Sequence, residues 1–479
     1  MAETFLFYDI ETSGLSRAFD QILDFAAIRT DPDLNEIERL SARIRLRPDV
    51  VPSPAALLVN RIRAARFSSG DSEYEAVRRI HAWLNTPGTV SIGYNSIGFD
   101  DEFLRFAFRR NLLPPYTHQY ADACRRMDLL PITLMYWLYG RQALNWPEPD
   151  GKASLKLEDI GAANGLFSGK SHDAAADVEA ALRLARRLAS EKKMWRYLQG
   201  CFLAEVDARR AAELPVAFEG RGGPHARALM VSSEFGTRMR FQAPVLSIGR
   251  SIPYPKQSLW LRLDSPQLQE ASAESAAEDS WVIRKRYGEP GILLPPLERY
   301  LAQVDPERRA LAAGNLARLE ADPELLEKIA RHHRHYRYPL IPDLDPDASL
   351  YQTGFFPRED EALCRSFHAA SVPERVEIAE RFASRDARTL AARVLFRNFP
   401  SDLPPHLVRE SAELMRRICR GEPMPDHAGR PRLTPQKALA ETRELKRDAA
   451  LEPAQLLLLE ELEAYIARRF DCAAAPGGA

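Results

Sequence analysis

The chain has 479 residues, too many for one hydrophobic core, so two to four domains are expected. The composition, with 45% hydrophobic and 28% charged residues, is that of an ordinary globular protein. The formal net charge of -1 excludes a protein that is basic overall, so any nucleic acid must bind to a local basic surface.

The cysteines and the N-terminus bear on the cellular compartment. The five cysteines lack the paired spacing of a disulfide framework or a zinc knuckle, which favours a reducing, intracellular compartment. The sequence enters a predicted strand almost at once without a basic leader, and no apolar run approaches membrane-spanning length. We therefore expect a cytoplasmic protein without a membrane segment. The cysteines are Cys124, Cys201, Cys364, Cys419 and Cys472.

Residues 1–193 alternate predicted strands with predicted helices. FLFYDIE, QILDFAAIRTD and TVSIGYN have the apolar character of strands, whereas EYEAVRRIHAWLN and DDEFLRFAFRRNLL have a helical period. Further on, SLKLEDIGAANGL predicts a helix closed by Gly165, and DAAADVEAALRLARRLASEKK predicts a long amphipathic helix. This order of elements predicts an α/β layered domain.

The pattern of predicted secondary structure changes twice in the rest of the chain. Within residues 194–345, the runs ALMVSSEF, RMRFQAPVLSIG, SLWLRLD and SWVIRKRYG are separated by Pro and Gly, which predicts a small β-rich domain. Residues 346–472 are helical in period almost throughout and predict an α-helical C-terminal domain. Residues 473–479 are expected to be a disordered tail.

The first predicted strand ends in two acids. Side chains alternate across a strand, so Phe5, Phe7, Asp9 and Glu11 share one face. Two half-buried carboxylates repel each other unless a cation or a shared proton compensates. The alternative is a strand end that emerges into solvent before a Thr-Ser-Gly turn, and for this segment alone that alternative is the more frequent case.

Two further acidic segments lie downstream. Asp100 follows Asn95 and Phe99 where a buried strand passes into a helix, although acids there are also typical of helix capping. His172 and Asp177 are five residues apart, so we expect the histidine on a loop and the aspartate in the first turns of the helix. The alternative makes the intervening Asp173 the N-cap and leaves the histidine as an exposed loop residue.

Taken together, these segments supply four carboxylates and one histidine to a single domain. Hard divalent ions such as Mg²⁺ take oxygen ligands, and a pair of them can stabilise the attacking and leaving oxygens of a phosphodiester. Mn²⁺ suits the same ligands. A histidine, with an ordinary pKa of roughly 6.5, can take a proton from the attacking water near neutral pH. The residues are Asp9, Glu11, Asp100, Asp177 and His172.

The order and spacing of these segments resemble the three motifs of the DEDDh class of 3'→5' exonucleases. Within that class GYNSIGFDDE, LNWPEPDG, HDAAADV and YQTGFF resemble the bacterial exonuclease I family, which degrades single-stranded DNA. The resemblance spans essentially the whole chain. It implies an RNase H-like exonuclease domain, an SH3-like domain and a helical C-terminal domain arranged around single-stranded DNA.

The resemblance also implies a mechanism. Asp9, Glu11, Asp100 and Asp177 are expected to hold two Mg²⁺ ions, and His172 is expected to activate water for processive release of 5'-mononucleotides. The implied setting is DNA repair and recombination, and we expect the protein to act as a monomer. Because the residues alone do not discriminate DNA from RNA, an exonuclease preferring RNA or short oligonucleotides stays an alternative. A non-catalytic scaffold that binds single strands is a further alternative.

Contacts with the DNA strand need cations and flat surfaces. In the resembling family, the positions of Arg105, Tyr116 and Lys156 carry DNA contacts, with Lys156 standing where an arginine is usual, so the bidentate fork would be lost. The alternative for each is a solvated charge or a packed tyrosine. Glu11 with the following Thr12 and Ser13 is expected to meet the terminal nucleotide through side chains and backbone N–H groups.

Two other surfaces are singled out. The resembling family binds the acidic C-terminal tail of single-stranded DNA-binding protein, and Arg141 beside LNWP is the candidate anchor for that tail. The stretch RHHRHYRYP, residues 331–339, is the densest basic and aromatic segment of the chain. It has the ingredients of a single-strand contact, and the alternative is a plain solvated linker.

Overall fold

The N-terminal part of the protein is built on a five-stranded mixed sheet. The structure, a computed structural model, describes residues 3–167, 173–272 and 274–471. The sheet order is β3-β2-β1-β4-β5, with antiparallel pairing from β3 to β1 and parallel pairing from β1 to β5. Its strands are β1 (Thr4–Thr12), β2 (Ile22–Thr30), β3 (Glu36–Arg43), β4 (Thr89–Gly93) and β5 (Arg125–Asp128).

Helices surround this sheet and confirm the predicted α/β layers. Their ends follow local chemistry: Ser72 forms a capping box with Glu75, and Gly165 ends the predicted SLKLEDIGAANGL helix in a left-handed conformation at φ +62°. The helices are α1 (Pro54–Asn60), α2 (Glu73–Leu84), α3 (Asp100–Arg110), α4 (Leu129–Tyr139), α5 (Leu157–Asn164), α6 (Ala174–Ala189), α7 (Lys192–Gln199) and α8 (Ala204–Ala212).

The central strand β1 carries two different faces, as its alternation predicts. Phe5 and Phe7 pack into a core that includes α4 and α6, whereas Leu6, Tyr8 and Ile10 pack into a core that includes α2 and α3. The face that begins with the two phenylalanines therefore runs toward the N-terminal turns of α6.

A second, antiparallel sheet follows and confirms the predicted β-rich region. Its order is β10-β9-β8-β7-β11, with β6 pairing with β7. The strands are β6 (Val216–Gly220), β7 (Gly223–Val231), β8 (Gln242–Arg250), β9 (Gln257–Arg262), β10 (Val282–Arg286) and β11 (Ile292–Leu294). The helices of this region are α9 (Pro266–Glu270), α10 (Glu298–Leu301), α11 (Pro306–Ala321) and α12 (Pro323–His335).

The C-terminal part is helical, as predicted. Its last helices pack against the N-terminal part, where Tyr465 meets Phe67 edge to face at 4.9 Å. The helices are α13 (Leu350–Thr353), α14 (Arg358–Ala369), α15 (Val372–Arg381), α16 (Arg385–Asn398), α17 (Pro405–Arg420), α18 (Pro435–Leu445) and α19 (Pro453–Arg469). Residues 472–479, including Cys472 and the predicted tail, lie outside the described residues.

A buried ion network joins the N-terminal and C-terminal parts. The guanidinium of Arg397 in α16 donates to both carboxylate oxygens of Asp49, at 3.2 and 2.8 Å, and to Asp347 at 3.0 Å. Arg47 adds a 3.3 Å contact to Asp49 and a 2.8 Å hydrogen bond to Glu73. Burial alone would raise the pKa of Asp49, but Arg397, Arg47 and a third arginine hold it well below its usual range.

Only the second part of the basic and aromatic stretch 331–339 lies outside a helix. Its first five residues form the last turns of α12, and His333 is buried with its Nε2 at 2.8 Å from the hydroxyl of Ser280. A plain solvated linker is therefore wrong for residues 331–335. Tyr336 ends the helix, and the following residues are extended.

Two predictions concern the compartment. Cys124, Cys201, Cys364 and Cys419 are buried, and no two of these four form a disulfide with each other. None of the helices in the described part of the chain has the length and apolar character needed to span a bilayer.

Candidate active site

Three carboxylates converge where the end of β1 meets the first turns of α6. Asp9 and Glu11 extend the face of β1 that carries the two phenylalanines, and Asp177 lies in the first turn of α6. Each of the three acids offers an oxygen, and these oxygens lie within 4.8 Å of one another. The structure therefore brings together acids that are 168 residues apart at most (177 minus 9).

The pKa values of these acids report mutual repulsion. The pKa of Asp9 lies well above its ordinary value. Burial is the largest cause, followed by the charges of Asp100, Glu11 and Asp177. Burial and then the charge of Asp177, followed by that of Asp24, raise the pKa of Glu11 to about 8. Because like charges in a half-buried setting disfavour ionisation, the group needs a cation to hold all its charges near neutral pH.

Asp100 lies beside this group rather than within it. It is the first residue of α3, is 6% exposed, and accepts the N–H of Ile10 just beyond the last residue pair of β1 and β4. Burial raises its pKa well above the ordinary value. Its charge in turn is the largest one acting on Asp9. The fourth predicted carboxylate therefore lies close enough to Asp9 to raise its pKa.

His172 lies outside the described residues. The N-cap that the alternative assigns to Asp173 is confirmed, because its side chain accepts the N–H of Ala175 at 3.0 Å, and Asp177 lies in the first turn of α6 as predicted. The catalytic role assigned to His172 stays a prediction.

Several residues that sequence reasoning missed hold the site in place. The buried Asp101 accepts from His118 at 2.8 Å and from Arg126, which reaches Glu289 of the second sheet region at 2.9 Å. Asp101 is therefore engaged by His118 and Arg126 rather than by the three converging acids, although it adjoins Asp100. No local signal distinguishes these two acids, because both fit a helix N-terminus equally well.

Asp128 and Asp24 are two more acids at the site that the sequence analysis omits. Asp128 caps α4 and accepts the N–H groups of Asn95 at 2.8 Å and Ile97 at 3.1 Å, which orders the loop before Asp100. Asp24 stands opposite Glu11 across β1 and β2 and pairs with Arg66 at 2.7 Å. The signal that could have identified Asp24 is its position on β2, directly opposite the predicted site residue Glu11 on β1.

The chemistry of the three converging acids fits a divalent cation. Carboxylate oxygens are the ligands that Mg²⁺ and Mn²⁺ take in proteins. Among the described residues, no lysine or arginine forms an ion pair with Asp9 or Glu11.

Metal-free protein is expected to lose stability as the pH rises from about 4.5 to about 8. Because the folded-state pKa of Glu11 is raised to about 8, the native state holds a proton that the unfolded state has released, and stability falls across that interval. We expect the metal-free Glu11→Gln variant to exceed the metal-free wild type by about 2 kcal/mol at pH 8 and by little at pH 5. Thermal unfolding in chelator at both pH values measures this, and saturating Mg²⁺ should reverse the order at pH 8. An equal difference at both pH values would contradict the repulsion.

The predicted DNA contacts fall into two groups. Lys156 is exposed at the N-cap of α5, and its contact with a phosphate stays a prediction. Arg105 is 5% exposed and is paired with Asp101 at 3.1 Å and with Glu102. Its charge is already balanced, so its direct DNA contact stays a prediction. Tyr116 lies under Arg105, with the guanidinium 5.3 Å from the ring centre.

The residues after Glu11 are largely occupied within the protein. The hydroxyl of Thr12 donates to the carbonyl of Gly14 at 2.8 Å. Ser13 is fully buried, donating its hydroxyl to Asp20 at 2.8 Å and its N–H to Gln21 at 2.9 Å. Both donors of Ser13 are used within the protein, and the nucleotide contact through Ser13 stays a prediction.

Arg141 is exposed next to a tryptophan. Its Nε donates to the carbonyl of Trp137 at 3.1 Å, and its guanidinium lies 5.1 Å from the Trp137 ring. Among the described residues no carboxylate pairs with it. The contact with a partner tail stays a prediction.

Comparison with known proteins shows which proteins this chain is similar to. Residues 6–185 match the family model described as Exonuclease. Over 187 residues the chain is 38% identical to Exodeoxyribonuclease I of Escherichia coli strain K12, an alignment that covers 38% of this chain and 39% of that protein. It is 27% identical over 409 residues to Exodeoxyribonuclease I of Haemophilus influenzae, covering 78% of this chain and 82% of that protein.

Structural comparison extends the match over the whole molecule. The solved structure of E. coli Exonuclease I in complex with a dA16 oligonucleotide superposes with a TM-score of 0.83 and 24% identity, covering 98% of this chain and 100% of that chain. The predicted fold class, an RNase H-like exonuclease domain with further domains and a helical C-terminal part, is confirmed.

Proposed function

Because residues 6–185 match the exonuclease family model, we propose that the protein is a 3'→5' exonuclease that degrades single-stranded DNA to 5'-mononucleotides. The observation that carries the proposal is the convergence of Asp9, Glu11 and Asp177 within 4.8 Å beside Asp100. The H. influenzae relative that aligns with 78% of this chain is named Exodeoxyribonuclease I. DNA repair and recombination in the cytoplasm is the setting we propose, with the protein acting as a monomer.

The four acids would hold two Mg²⁺ ions, with Mn²⁺ as a substitute. Such ions, when bound, supply Lewis-acid stabilisation of charge on the attacking and leaving oxygens of a phosphodiester. Asp9 lies between Glu11 on its own strand and Asp100 on α3, so it is the acid best placed to contribute to both sides of the site. Lys156 would bind a phosphate, and Tyr116 would offer a flat surface to a base.

A digestion assay tests this function. The substrates are single-stranded DNA labelled at the 5' or 3' end, matched duplex and RNA, each with Mg²⁺ and with chelator. Mononucleotide release from the 3' end of single-stranded DNA, abolished by chelator, is the expected result. Hydrolysis mainly of RNA would keep the chemistry and replace the substrate, and binding without cleavage would favour the scaffold.

His172→Ala is expected to lower turnover by about 10²- to 10⁴-fold while leaving DNA affinity nearly unchanged. The reason is the proposed role of His172 as the base that takes a proton from the attacking water. Wild-type turnover should fall as the pH drops through the pKa of this histidine, because the protonated imidazole cannot accept a proton. The measurement is single-turnover rate against pH with a parallel binding titration. An unchanged rate with weaker binding would make His172 a substrate ligand instead.

Arg141→Ala is expected to lower affinity for the acidic C-terminal tail of single-stranded DNA-binding protein by about tenfold. The exposed guanidinium beside Trp137 would pair with a carboxylate of that tail. A labelled tail peptide titrated into wild type and variant measures the change, and hydrolysis of naked DNA serves as the internal control. Equal peptide affinities would remove Arg141 from the contact.

The division of the chain at residues 193 and 345 stays part of the proposal. The N-terminal unit would carry the chemistry, and the SH3-like and helical units would enclose the strand.

A further inference from the structure

A cleft lies between the N-terminal and C-terminal parts of the molecule. It has a volume of about 810 Å³ and is lined by residues of the segments 45–48, 64–68 and 72–73 and, opposite them, by the end of α16 and the last turns of α19. None of the acids of the candidate active site lines it. Proteins commonly bind small ligands in clefts of about 300–1,000 Å³ at domain interfaces. We call it the interface cleft.

Three aromatic side chains form the apolar wall of the interface cleft. Phe67 is buried, whereas Tyr465 and Phe396 are half-buried. Phe67 and Tyr465 meet edge to face at 4.9 Å between ring centres, so the wall is continuous from the N-terminal part to α19. Tyr465 and Phe396 therefore keep part of their ring surface exposed in the cleft. Such a surface can stack a nucleic-acid base of any sequence.

Three exposed arginines also line the interface cleft. Arg45 follows β3, and Arg468 and Arg469 end α19. Within the described part of the chain, the side chains of Arg45 and Arg468 have no ion pair and no hydrogen bond. Arg469 donates its Nε to the carbonyl of Pro48 at 3.0 Å and has no carboxylate partner among the same residues. Their charges are therefore available to an anion.

The remaining charges of the interface cleft are already balanced. Among the described residues that line it, Glu73 is the one carboxylate, and it pairs with Arg47 at 2.8 Å and with Arg110 at 3.3 Å. Burial raises the pKa of Tyr465, while the charges of Arg469 and Arg468 lower it, so both guanidinium groups lie within electrostatic reach of its hydroxyl. The interface cleft thus combines unpaired cations with aromatic surface.

We propose that the interface cleft is a second binding site, which takes one free nucleoside phosphate. The phosphate groups pair with Arg45, Arg468 and Arg469, since guanidinium groups bind phosphate through charge-assisted hydrogen bonds. The base stacks on Tyr465 and Phe396. The volume is that of a site for one small ligand, whereas a DNA strand needs an extended groove.

Two sources supply this chemistry. One is a nucleoside triphosphate, and the other is a nucleoside monophosphate of the kind that the proposed exonuclease reaction would release. Binding at the interface cleft does not depend on that reaction. Because the ligand contacts both the N-terminal and the C-terminal part, it stabilises the folded protein when bound.

The test measures binding in the absence of a divalent cation. The full-length Asp9→Asn protein in chelator is titrated by calorimetry with dATP, dAMP, deoxyadenosine and tripolyphosphate. Arg45→Gln with Arg468→Gln changes only exposed side chains and should weaken dATP binding by about tenfold or more. Saturating dATP should raise the melting temperature of the parent and not that of this double variant. A nucleotide held in the active site would bind equally to both proteins.

A second variant tests the stacking surface, and a control tests unspecific charge effects. Tyr465→Leu removes the ring but keeps apolar volume, so it should weaken dATP binding several-fold and leave tripolyphosphate binding unchanged. Arg409→Gln removes an exposed cation of α17 that does not line the interface cleft, and it should bind all four compounds as the parent does.

The outcomes identify the ligand or overturn the site. Tighter binding of dATP than of dAMP would support a triphosphate ligand, and equal or tighter binding of dAMP would support the monophosphate. Absence of dATP binding, an unchanged affinity in the double variant, or equal affinities for tripolyphosphate and dATP would overturn the proposal. Hydrolysis of single-stranded DNA by the wild type is measured separately, so failure of the exonuclease function would leave this result intact.

Discussion

Asp9→Asn is expected to lower the rate of single-stranded DNA hydrolysis by about a thousandfold or more while the protein stays folded. Asparagine has the size of aspartate but lacks its charge, so the three converging oxygens lose the acid that also faces Asp100. The measurement is release of labelled mononucleotide at saturating Mg²⁺. The metal-free variant should be at least as stable as metal-free wild type, because burial and neighbouring charges raise the pKa of Asp9.

A matched control is Asp33→Asn, which neutralises an exposed acid between β2 and β3 in the same domain. Its hydrolysis rate should stay within twofold of wild type. A near-normal rate in the Asp9→Asn protein would show that this carboxylate is not needed for the reaction, and the metal site would have to be sought elsewhere.

Arg397→Met is expected to destabilise the protein by about 3 to 5 kcal/mol. The methionine fills part of the volume but leaves the carboxylates of Asp49 and Asp347 buried without the guanidinium that contacts both. The deficit should be largest near neutral pH and should shrink as the pH falls, because the pKa values of these acids are held low in the folded protein and protonation relieves the unpaired charge. Denaturant unfolding followed by circular dichroism measures it.

Arg381→Met provides the comparison, because Arg381 is an exposed arginine in α15 near the same region. It should change the free energy of unfolding by less than about 0.5 kcal/mol. Equal stability of the two variants would mean that the ion network contributes no more than a surface charge, and that the interface depends on apolar packing.

The face of β1 that carries Asp9 and Glu11 was predictable because the periodicity of a strand is local. The alternation of Phe5, Phe7, Asp9 and Glu11 fixes which side chains share a face, and the structure confirms it. The helix carrying Asp177 was predictable for the same reason, since a 3.6-residue period and an acidic cap need no distant partner. The convergence of these acids followed from resemblance to a family rather than from periodicity.

The burial of charges was not predictable from local pattern. Arg105 follows Asp100 on one helix and has the sequence character of a surface cation, yet it is buried against Asp101 and Glu102. Ser13 has the sequence character of an exposed turn residue, yet it is buried and its hydroxyl donates a hydrogen bond to Asp20. In both cases the deciding neighbour is brought in by tertiary packing, which a propensity scale does not contain.

The buried ion network has a consequence for the order in which the protein matures. A chain is synthesised from its N-terminus and its domains generally fold in that order, so Asp49 leaves the ribosome long before Arg397, which lies 348 residues later. Until that helix emerges, Asp49 and the neighbouring Glu73 have only the N-terminal arginines for neutralisation. The charge balance of the N-terminal part of a growing chain is therefore incomplete until the C-terminal helices emerge. A truncated product would carry Asp9, Glu11 and Asp177 in an N-terminal part whose buried ion network lacks Arg397.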